Sequence, residues 1–214
     1  MEQLSPLLPE AHFFAEEQEE NVLAPGYNWL IDPIDGTTNF MRGLRHSCIS
    51  VALTDHGQCI LGVVYNFYSD ELFSAVRGQG AFLNGAALHT ANVPVEESVI
   101  FFGTSPYYRA VAEGSLSVLR TLYRSCGDLR RSGSAALDLC SVAAGRADAF
   151  FEAKLSPWDY AAAALIVEEA GGVVSSVAPY SLDFQHKTPV LAGAGAAYEL
   201  VLQAAKEAVQ KGQI

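Results

Sequence analysis

The stretch WLIDPIDGTTNF, residues 29–40, concentrates the residue types that could do chemistry. Asp32 and Asp35 stand three positions apart, and Gly36 and Thr37 follow directly. Two carboxylates on a rigid turn can converge on a hard cation, which prefers oxygen ligands. The backbone N–H groups of Gly36 and Thr37 could then face an anion. The alternative is an acidic turn before a helix. An isolated pair of aspartates favours that alternative, but the full string with a second acidic site downstream favours metal-assisted phosphate chemistry.

The second acidic site is the start of a predicted helix in SPWDYAAAALIVEEAGG. Ser156 suits the N-cap, Pro157 suits the first helical position, and Asp159 falls at N3. The positive end of the helix dipole favours a carboxylate there and keeps it ionised for a metal. Taken alone, Asp159 is better explained as part of the helix cap.

Two short strands are predicted to position the first carboxylates. Residues 29–31 indicate a buried strand that Pro33 ends, because a central strand excludes proline. Residues 12–15 indicate another strand, followed by an acidic run of Glu16, Glu17, Glu19 and Glu20. Glu16 lies where the strand ends and could point into a cleft. The run alone favours solvated side chains for all four glutamates.

The rest of the chain divides into two patterns. Four strand-like runs joined by turn signals predict an antiparallel meander. These runs are residues 48–53, 59–66, 71–76 and 80–83. After a connector, helices and strands alternate, which predicts an α/β half. The predicted strands are 98–103, 149–152, 173–176 and 190–192, and the predicted helices are 111–123, 134–144, 158–170 and 198–209.

Composition bounds the class of protein. A chain of 214 residues that is 50% hydrophobic can bury a substantial core, as one large domain or two closely joined ones. The net charge of −11 argues against a direct nucleic-acid interface, but not against an anionic substrate if metal ions supply positive charge. The four cysteines form no CxxC pair, so we expect free thiols and no structural zinc. No signal peptide or long apolar span occurs, so we expect a cytoplasmic protein without membrane contact.

The two motifs, at their separation and in their order, resemble the inositol monophosphatase family, whose members are Mg²⁺-dependent, lithium-sensitive phosphatases. The resemblance extends through FFAEE, GQGAFLNG, RRSGSAALDLCSVAAGRADAFFE and LAGAG. It implies an α+β and α/β fold, a layered α-β-α-β-α sandwich. Residues 1–92 would form a mixed, largely antiparallel β part with the DPIDGT motif. Residues 93–214 would form a smaller α/β part with the WD motif, and the two would make one functional unit.

The resemblance also implies a site with two or three Mg²⁺ ions. Glu16 and Thr37 would position the attacking water, and Asp35 would complete the catalytic set. Asp32 would bridge two ions. The implied metal ligands are Glu16, Asp32, the carbonyl of Ile34, Asp35 and Asp159. The implied substrate-binding residues are Asp35, Gly36, Thr37, Ala135, Glu152 and Asp159.

The implied activity is hydrolysis of a phosphomonoester by a metal-activated water, on inositol monophosphate or a related sugar or polyol phosphate. The family also implies a homodimer. Alternative substrates are fructose 1,6-bisphosphate, histidinol phosphate and 3′-phosphoadenosine 5′-phosphate. An alternative of another class is a non-catalytic regulatory partner with a vestigial site. Family members usually carry a helical segment before FFAEE, whereas only residues 1–15 precede Glu16 here. Either the sequence starts late or this member is short.

Overall fold

The computed structural model describes residues 1–18 and 22–214. The expectation of solvated side chains for Glu19 and Glu20 lies outside these residues, whereas Glu16 and Glu17 are both exposed. Seven strands form the first sheet in their chain order. They are β1 (His12–Ala15), β2 (Tyr27–Asp35), β3 (Cys48–Asp55), β4 (Gln58–Asn66), β5 (Glu71–Val76), β6 (Ala81–Leu83) and β7 (Ala86–Ala87). β1 pairs with β2 in parallel and all later neighbours are antiparallel, which confirms the predicted meander.

The prediction that Pro33 ends β2 is wrong, because the strand continues to Asp35. Asp32 lies opposite Ser50 and Asp35 opposite Cys48, so β2 holds one more residue than β3 in this interval. Such a bulge leaves a residue unpaired, where a missing N–H costs no ladder hydrogen bond. β1 reaches only as far as Ile31 on the other edge. The bulge therefore accommodates the proline and re-aims the two aspartates.

The second sheet has five strands in the order β11-β12-β10-β8-β9. They are β8 (Val99–Phe102), β9 (Asp128–Arg130), β10 (Ala149–Leu155), β11 (Val173–Ser175) and β12 (Thr188–Gly193). The helices are α1 (Thr37–Arg42), α2 (Ala112–Tyr123), α3 (Ala135–Ala143), α4 (Pro157–Glu169) and α5 (Gly195–Gln210). The short elements α1 and β9 are additions to the predicted set.

The helices α3 and α4 lie between the two sheets. The largest apolar cluster joins residues of both helices to Leu30 and Val64 of the first sheet and to Phe150 and Val190 of the second. A second cluster packs α2 and α5 against the other face of the second sheet. The outer face of the first sheet holds a small cluster around Trp29. The described residues therefore form β-α-β-α layers. This is the predicted α-β-α-β-α order without its first helical layer, and the sandwich fold is confirmed.

The contact between α4 and β4 is unusually close. Ala161 to Ala164 are all buried on this helix. A Cβ atom added to Gly62 of β4 would lie only 2.4 Å from the carbonyl oxygen of Ala162. The strand and helix backbones therefore touch almost directly, because both positions carry minimal side chains.

The division into residues 1–92 and 93–214 stays a prediction. Each sheet comes from one of these parts, but the largest core cluster contains residues of both. The longest helix, α5, has 16 residues. Among the described residues, no helix has the length and hydropathy that crossing a bilayer requires.

Candidate active site

The end of β2 presents two buried carboxylates. Asp32 is 2% exposed, and its Oδ1 accepts a hydrogen bond from the Ile34 N–H at 2.9 Å. One residue after β2, Gly36 adopts a left-handed φ of 84°. The hydroxyl of Thr37, at the start of α1, then turns back and donates to the Ile34 carbonyl at 3.0 Å. These bonds hold the bulge and the turn in one conformation.

Asp35 connects the first sheet to the start of α3. Its Oδ2 accepts hydrogen bonds from the Ser134 hydroxyl at 2.5 Å and from the Ala136 N–H at 2.9 Å. Ser134 is also the N-cap of α3 and accepts from the Leu137 N–H at 3.3 Å. The carboxylate therefore accepts from the N-cap hydroxyl and from a backbone N–H in the first turn of α3, a position that favours a negative charge.

Asp159 enters from the first turn of α4, as predicted. Ser156 is the N-cap and Pro157 the first helical residue. Asp159 Oδ2 accepts from the Ser156 N–H at 2.7 Å. This contact is the capping interaction that the sequence indicates, and the same side chain also lines the cavity that contains Asp32 and Asp35.

Glu16 completes the acidic group from the opposite direction. Its N–H donates to the Ile31 carbonyl at 3.2 Å, which fixes the backbone directly after β1. The side chain is exposed and lines the same cavity. The prediction of a solvated Glu16 and the prediction of a cleft position are thus both compatible with the structure.

Glu152 lies farther along the cavity, on β10. Its Oε1 accepts from the Ser105 N–H at 2.7 Å and lies 3.3 Å from the Ser105 hydroxyl oxygen. Gly103 leaves room for this carboxylate, because a Cβ atom at Gly103 would lie 1.9 Å from Glu152 Oε2. Burial raises the pKa of Glu152 to about 7, against the lowering effect of the Ser105 hydrogen bonds.

Mutual repulsion and burial shape the protonation of the acidic group. Burial, then the charges of Asp35, Glu16 and Asp159, raise the pKa of Asp32 to about 9. The pKa of Asp35 is raised by burial, and that of Asp159 by burial and then by Asp35. In the described part of the chain, none of these carboxylates takes part in an ion pair.

The donor set fits a hard divalent cation. A cation would remove the repulsion that raises these pKa values, and all the donors are oxygens, as Mg²⁺ prefers. The hydrogen bonds described above use one oxygen of Asp32 and one of Asp159, so the second oxygen of each can take a cation. Among the described residues, no three His, Cys, Asp or Glu side chains are already close enough to form a metal-ligand group. Metal ligation by these residues stays a prediction.

Every site residue proposed from the sequence lines this one cavity. The set is Glu16, Asp32, Ile34, Asp35, Gly36, Thr37, Ala135, Glu152 and Asp159. Sequence reasoning missed several other lining residues, among them Ser105, Asp138, Lys154 and Lys187. Asp138 is 2% exposed, accepts from the Ser132 hydroxyl, and has its pKa raised well above the usual range by burial. Its position in the helical run after RRSGSAAL is the signal that could have identified it.

Comparison with known proteins agrees with this arrangement. The sequence profile of the inositol monophosphatase family matches residues 1–210. The chain belongs to the inositol monophosphatase family. Among solved structures, the extragenic suppressor protein suhB from Bartonella henselae superposes with a TM-score of 0.84 at 38% identity, covering 96% of this chain and 83% of that chain. An inositol monophosphatase from Anabaena gives a TM-score of 0.84 at 32% identity, covering 96% and 82%. The fold of the family is therefore shown.

Several curated sequence relatives are named Nus factor SuhB rather than inositol monophosphatase. Nus factor SuhB of Salmonella typhimurium is 44% identical over 169 residues, which are 78% of this chain and 63% of that protein. Nus factor SuhB of Escherichia coli K12 is 47% identical over 148 residues, or 69% of this chain and 55% of that protein. This chain thus spans less than two thirds of the length of these relatives, so the activity and partners of the whole protein are proposals.

Proposed function

We propose that this protein hydrolyses a phosphomonoester in a Mg²⁺-dependent reaction, with inositol monophosphate or a related polyol phosphate as substrate. The observation that carries the proposal is the convergence of four carboxylates on one cavity from three parts of the chain: Glu16 directly after β1, Asp32 and Asp35 on β2, and Asp159 on α4. A purely structural role for these four carboxylates is disfavoured, because each negative charge raises the free energy needed to ionise the others. A phosphatase that works with two metal ions needs such a cluster to bind them.

The four carboxylates and the Ile34 carbonyl would hold the ions. When bound, Mg²⁺ would neutralise the phosphate oxygens, acidify a water and stabilise the leaving alkoxide. Phosphoryl transfer otherwise needs positioning and charge stabilisation, so no covalent nucleophile is required.

The attacking water would be oriented by Thr37 and Glu16. The Thr37 hydroxyl already donates its proton to the Ile34 carbonyl, so its oxygen is left as an acceptor for a water proton. The exposed Glu16 carboxylate can take up the proton that the water loses. The backbone N–H groups at Gly36 and Thr37 would face the phosphate, and Glu152 would accept hydrogen bonds from hydroxyls of the leaving alcohol.

The test is phosphate release from inositol 1-phosphate, with and without Mg²⁺. We expect activity that EDTA abolishes and that lithium inhibits. Asp35→Asn keeps a hydrogen-bond acceptor for Ser134 and Ala136 but removes the charge, so we expect kcat to fall by about a hundredfold or more. Asp128→Asn is the matched control, because Asp128 is paired with Arg130 at 2.5 Å on the exposed strand β9. Equal activity of Asp35→Asn and the wild type would contradict the mechanism.

The curated relatives named Nus factor SuhB favour a second candidate, a non-catalytic interaction protein. Against it stands the presence of every predicted site residue in the cavity, which a scaffold would not need. Capture of a defined partner by a protein that turns over no phosphomonoester would support this candidate. Fructose 1,6-bisphosphate, histidinol phosphate and 3′-phosphoadenosine 5′-phosphate belong in the substrate panel. Homodimerisation and a cytoplasmic location stay predictions.

A further inference from the structure

The cavity also has a basic side that the proposed chemistry does not use. Lys154, Lys187 and Arg131 line it together with the carboxylates. Lysine and arginine number only 13 in a chain of net charge −11, so three in one cavity is a marked concentration. Arg131 lies near two carboxylates, since its charge lowers the pKa values of Asp138 and Glu152 against the larger effect of burial. Its charge is thus partly balanced within the cavity.

The two lysines differ from Arg131 in their surroundings. Within the described residues, neither Lys154 nor Lys187 forms an ion pair with a carboxylate. Both ammonium groups instead approach the ring of Tyr108, at 5.0 Å and 4.9 Å from its centroid. Lys187 also donates to the Tyr108 hydroxyl. A ring face compensates a cation only partly, and two like charges beside one ring repel each other.

Backbone contacts fix the position of Lys154. Glu152 and Lys154 of β10 both line the cavity, and the pairing of β10 with β12 is irregular between Glu152 and Leu155. The Ser105 hydroxyl accepts from the Lys154 N–H at 3.0 Å and donates to the Lys154 carbonyl at 3.1 Å. Ser105 also holds Glu152 through its own N–H. The loop at Ser105 therefore fixes the acidic and the basic side of the cavity relative to each other.

The same contacts bring Tyr108 and Lys187 to this point. The Tyr108 N–H donates to the Ser105 carbonyl at 2.8 Å, so the aromatic ring is attached to the loop that grips β10. Lys187 directly precedes β12, where Thr188 pairs with Leu155 of β10. Lys154 and Lys187 each directly precede one member of the Leu155–Thr188 pair. The register between β10 and β12 therefore brings the two lysines close together.

We propose that Lys154 and Lys187, held around the Tyr108 ring, form a subsite for a second anionic group of the substrate. This group would be a carboxylate or a phosphate at the end of the polyol remote from the ester phosphate that is hydrolysed. The inference rests on the proposed phosphatase function. Among the substrates proposed there, it favours phosphomonoesters with a second charged group, such as fructose 1,6-bisphosphate, over inositol monophosphate. An anion offsets the repulsion of the two ammonium groups and forms charge-assisted hydrogen bonds with them, whereas a neutral polyol hydroxyl does not carry the charge to do so.

Three ligands that differ only at the remote end test the subsite: mannitol 1-phosphate, 6-phosphomannonate and mannitol 1,6-bisphosphate. We expect kcat/KM to be about tenfold higher for either doubly charged substrate than for mannitol 1-phosphate, because charge-assisted hydrogen bonds are gained. The bisphosphate has two equivalent esters, so its value is halved before comparison. A preference for one of the two anions identifies the source of the charge.

The variants Lys154→Gln and Lys187→Gln, combined, should bring this ratio to within about twofold of unity, because the remote charge then meets no cation. Lys206→Gln is the matched control: it removes the same charge from an exposed position on α5, away from the cavity. It should keep the wild-type ratio. A wild-type ratio near unity, or a ratio that the double variant leaves unchanged, overturns the subsite.

Calorimetric binding of the same three ligands separates this inference from the proposed function. If no substrate is hydrolysed, the phosphatase proposal fails, and the order of affinities still decides the subsite. Tighter binding of both doubly charged ligands, lost in the double variant, supports it. Equal affinities for all three ligands overturn it even if hydrolysis is rapid.

Discussion

Glu152 couples protonation to stability at the level of a single residue. Burial raises its pKa from the usual 4.5 to about 7, so the folded protein binds a proton more tightly there than the unfolded chain does. The associated stability is fully present below about pH 4.5 and is lost as the pH rises through about 7. Glu152→Gln removes this loss of stability at high pH, because glutamine does not ionise. We expect its free energy of unfolding, relative to wild type, to increase between pH 4.5 and 8 by at most about 3 kcal/mol.

Urea denaturation in EDTA at several pH values measures this effect. Glu71 gives the opposite case, because hydrogen bonding to Arg146 lowers its pKa. Its stabilising contribution is present above the unfolded pKa and is lost as the pH falls, so Glu71→Gln should destabilise at neutral pH. A pH profile of Glu152→Gln that parallels the wild type would contradict the assigned pKa.

Gly36 is a second residue whose substitution has a defined physical cost. Its φ is +84°, and a Cβ atom would lie 3.0 Å from the His46 carbonyl and 3.2 Å from the Gly133 carbonyl. Gly43 has a similar φ of +67° with nothing within 4 Å, so Gly43→Ala reports the backbone strain alone. We expect Gly43→Ala to lose about 1 kcal/mol of unfolding free energy and Gly36→Ala to lose about 1 kcal/mol more. Urea denaturation measures both losses. Equal losses of unfolding free energy in the two variants would show that the carbonyl oxygens around Gly36 can move aside for a Cβ atom.

At the level of elements, the start of α3 is stabilised from two directions. Ser134 caps the helix and donates a hydrogen bond to the buried Asp35 carboxyl group. Ser134→Ala therefore removes both the cap and this hydrogen bond. We expect a loss of about 2 kcal/mol in urea denaturation. Ser141, on the same helix, only donates back to the Leu137 carbonyl. Ser141→Ala should therefore change stability by less than about 0.5 kcal/mol, and a similar loss in both variants would contradict the role of the cap.

The elements also show where sequence reasoning succeeds. Long periodic runs such as β4 and α4 were predicted within a residue or two, because burial of one face dictates their pattern. α1 and β9 are too short to show a period. The continuation of β2 through Pro33 depends on a bulge against β3 and on the reach of β1, and both are properties of partners rather than of β2.

At the level of the whole molecule, α3 and α4 form a common core with both sheets. Removing either sheet would expose apolar residues of both helices, so the two parts should not unfold separately. We expect one cooperative transition in urea. Far-ultraviolet circular dichroism and the fluorescence of Trp29 and Trp158 should report the same midpoint. Two separated midpoints would show that the parts at 1–92 and 93–214 are independent domains.

The site likewise belongs to the whole chain. Asp32 and Asp35 stand out in the sequence because they share one motif, and Ser156 to Asp159 stand out as a cap. Ser105, Lys154 and Lys187 carry no local signal. Their role depends on contacts between residues far apart in the chain, such as the Ser105 hydroxyl with β10, which no spacing rule specifies.

The close contact of Gly62 with Ala162 has a consequence for affinity. It sets the thickness of the layer between β4 and α4, and hence how far Asp159 on the helix stands from Asp32 on the sheet. If these residues bind Mg²⁺ as proposed, the ion affinity depends on interlayer spacing as well as on ligand identity. Gly62→Val, which touches no carboxylate, should lift the helix and weaken Mg²⁺ binding by about tenfold or more, because Mg²⁺ tolerates little departure from its octahedral distances. A Mg²⁺ titration monitored by Trp158 fluorescence would measure the change, and unaltered affinity would show that the layers can separate without moving the ligands.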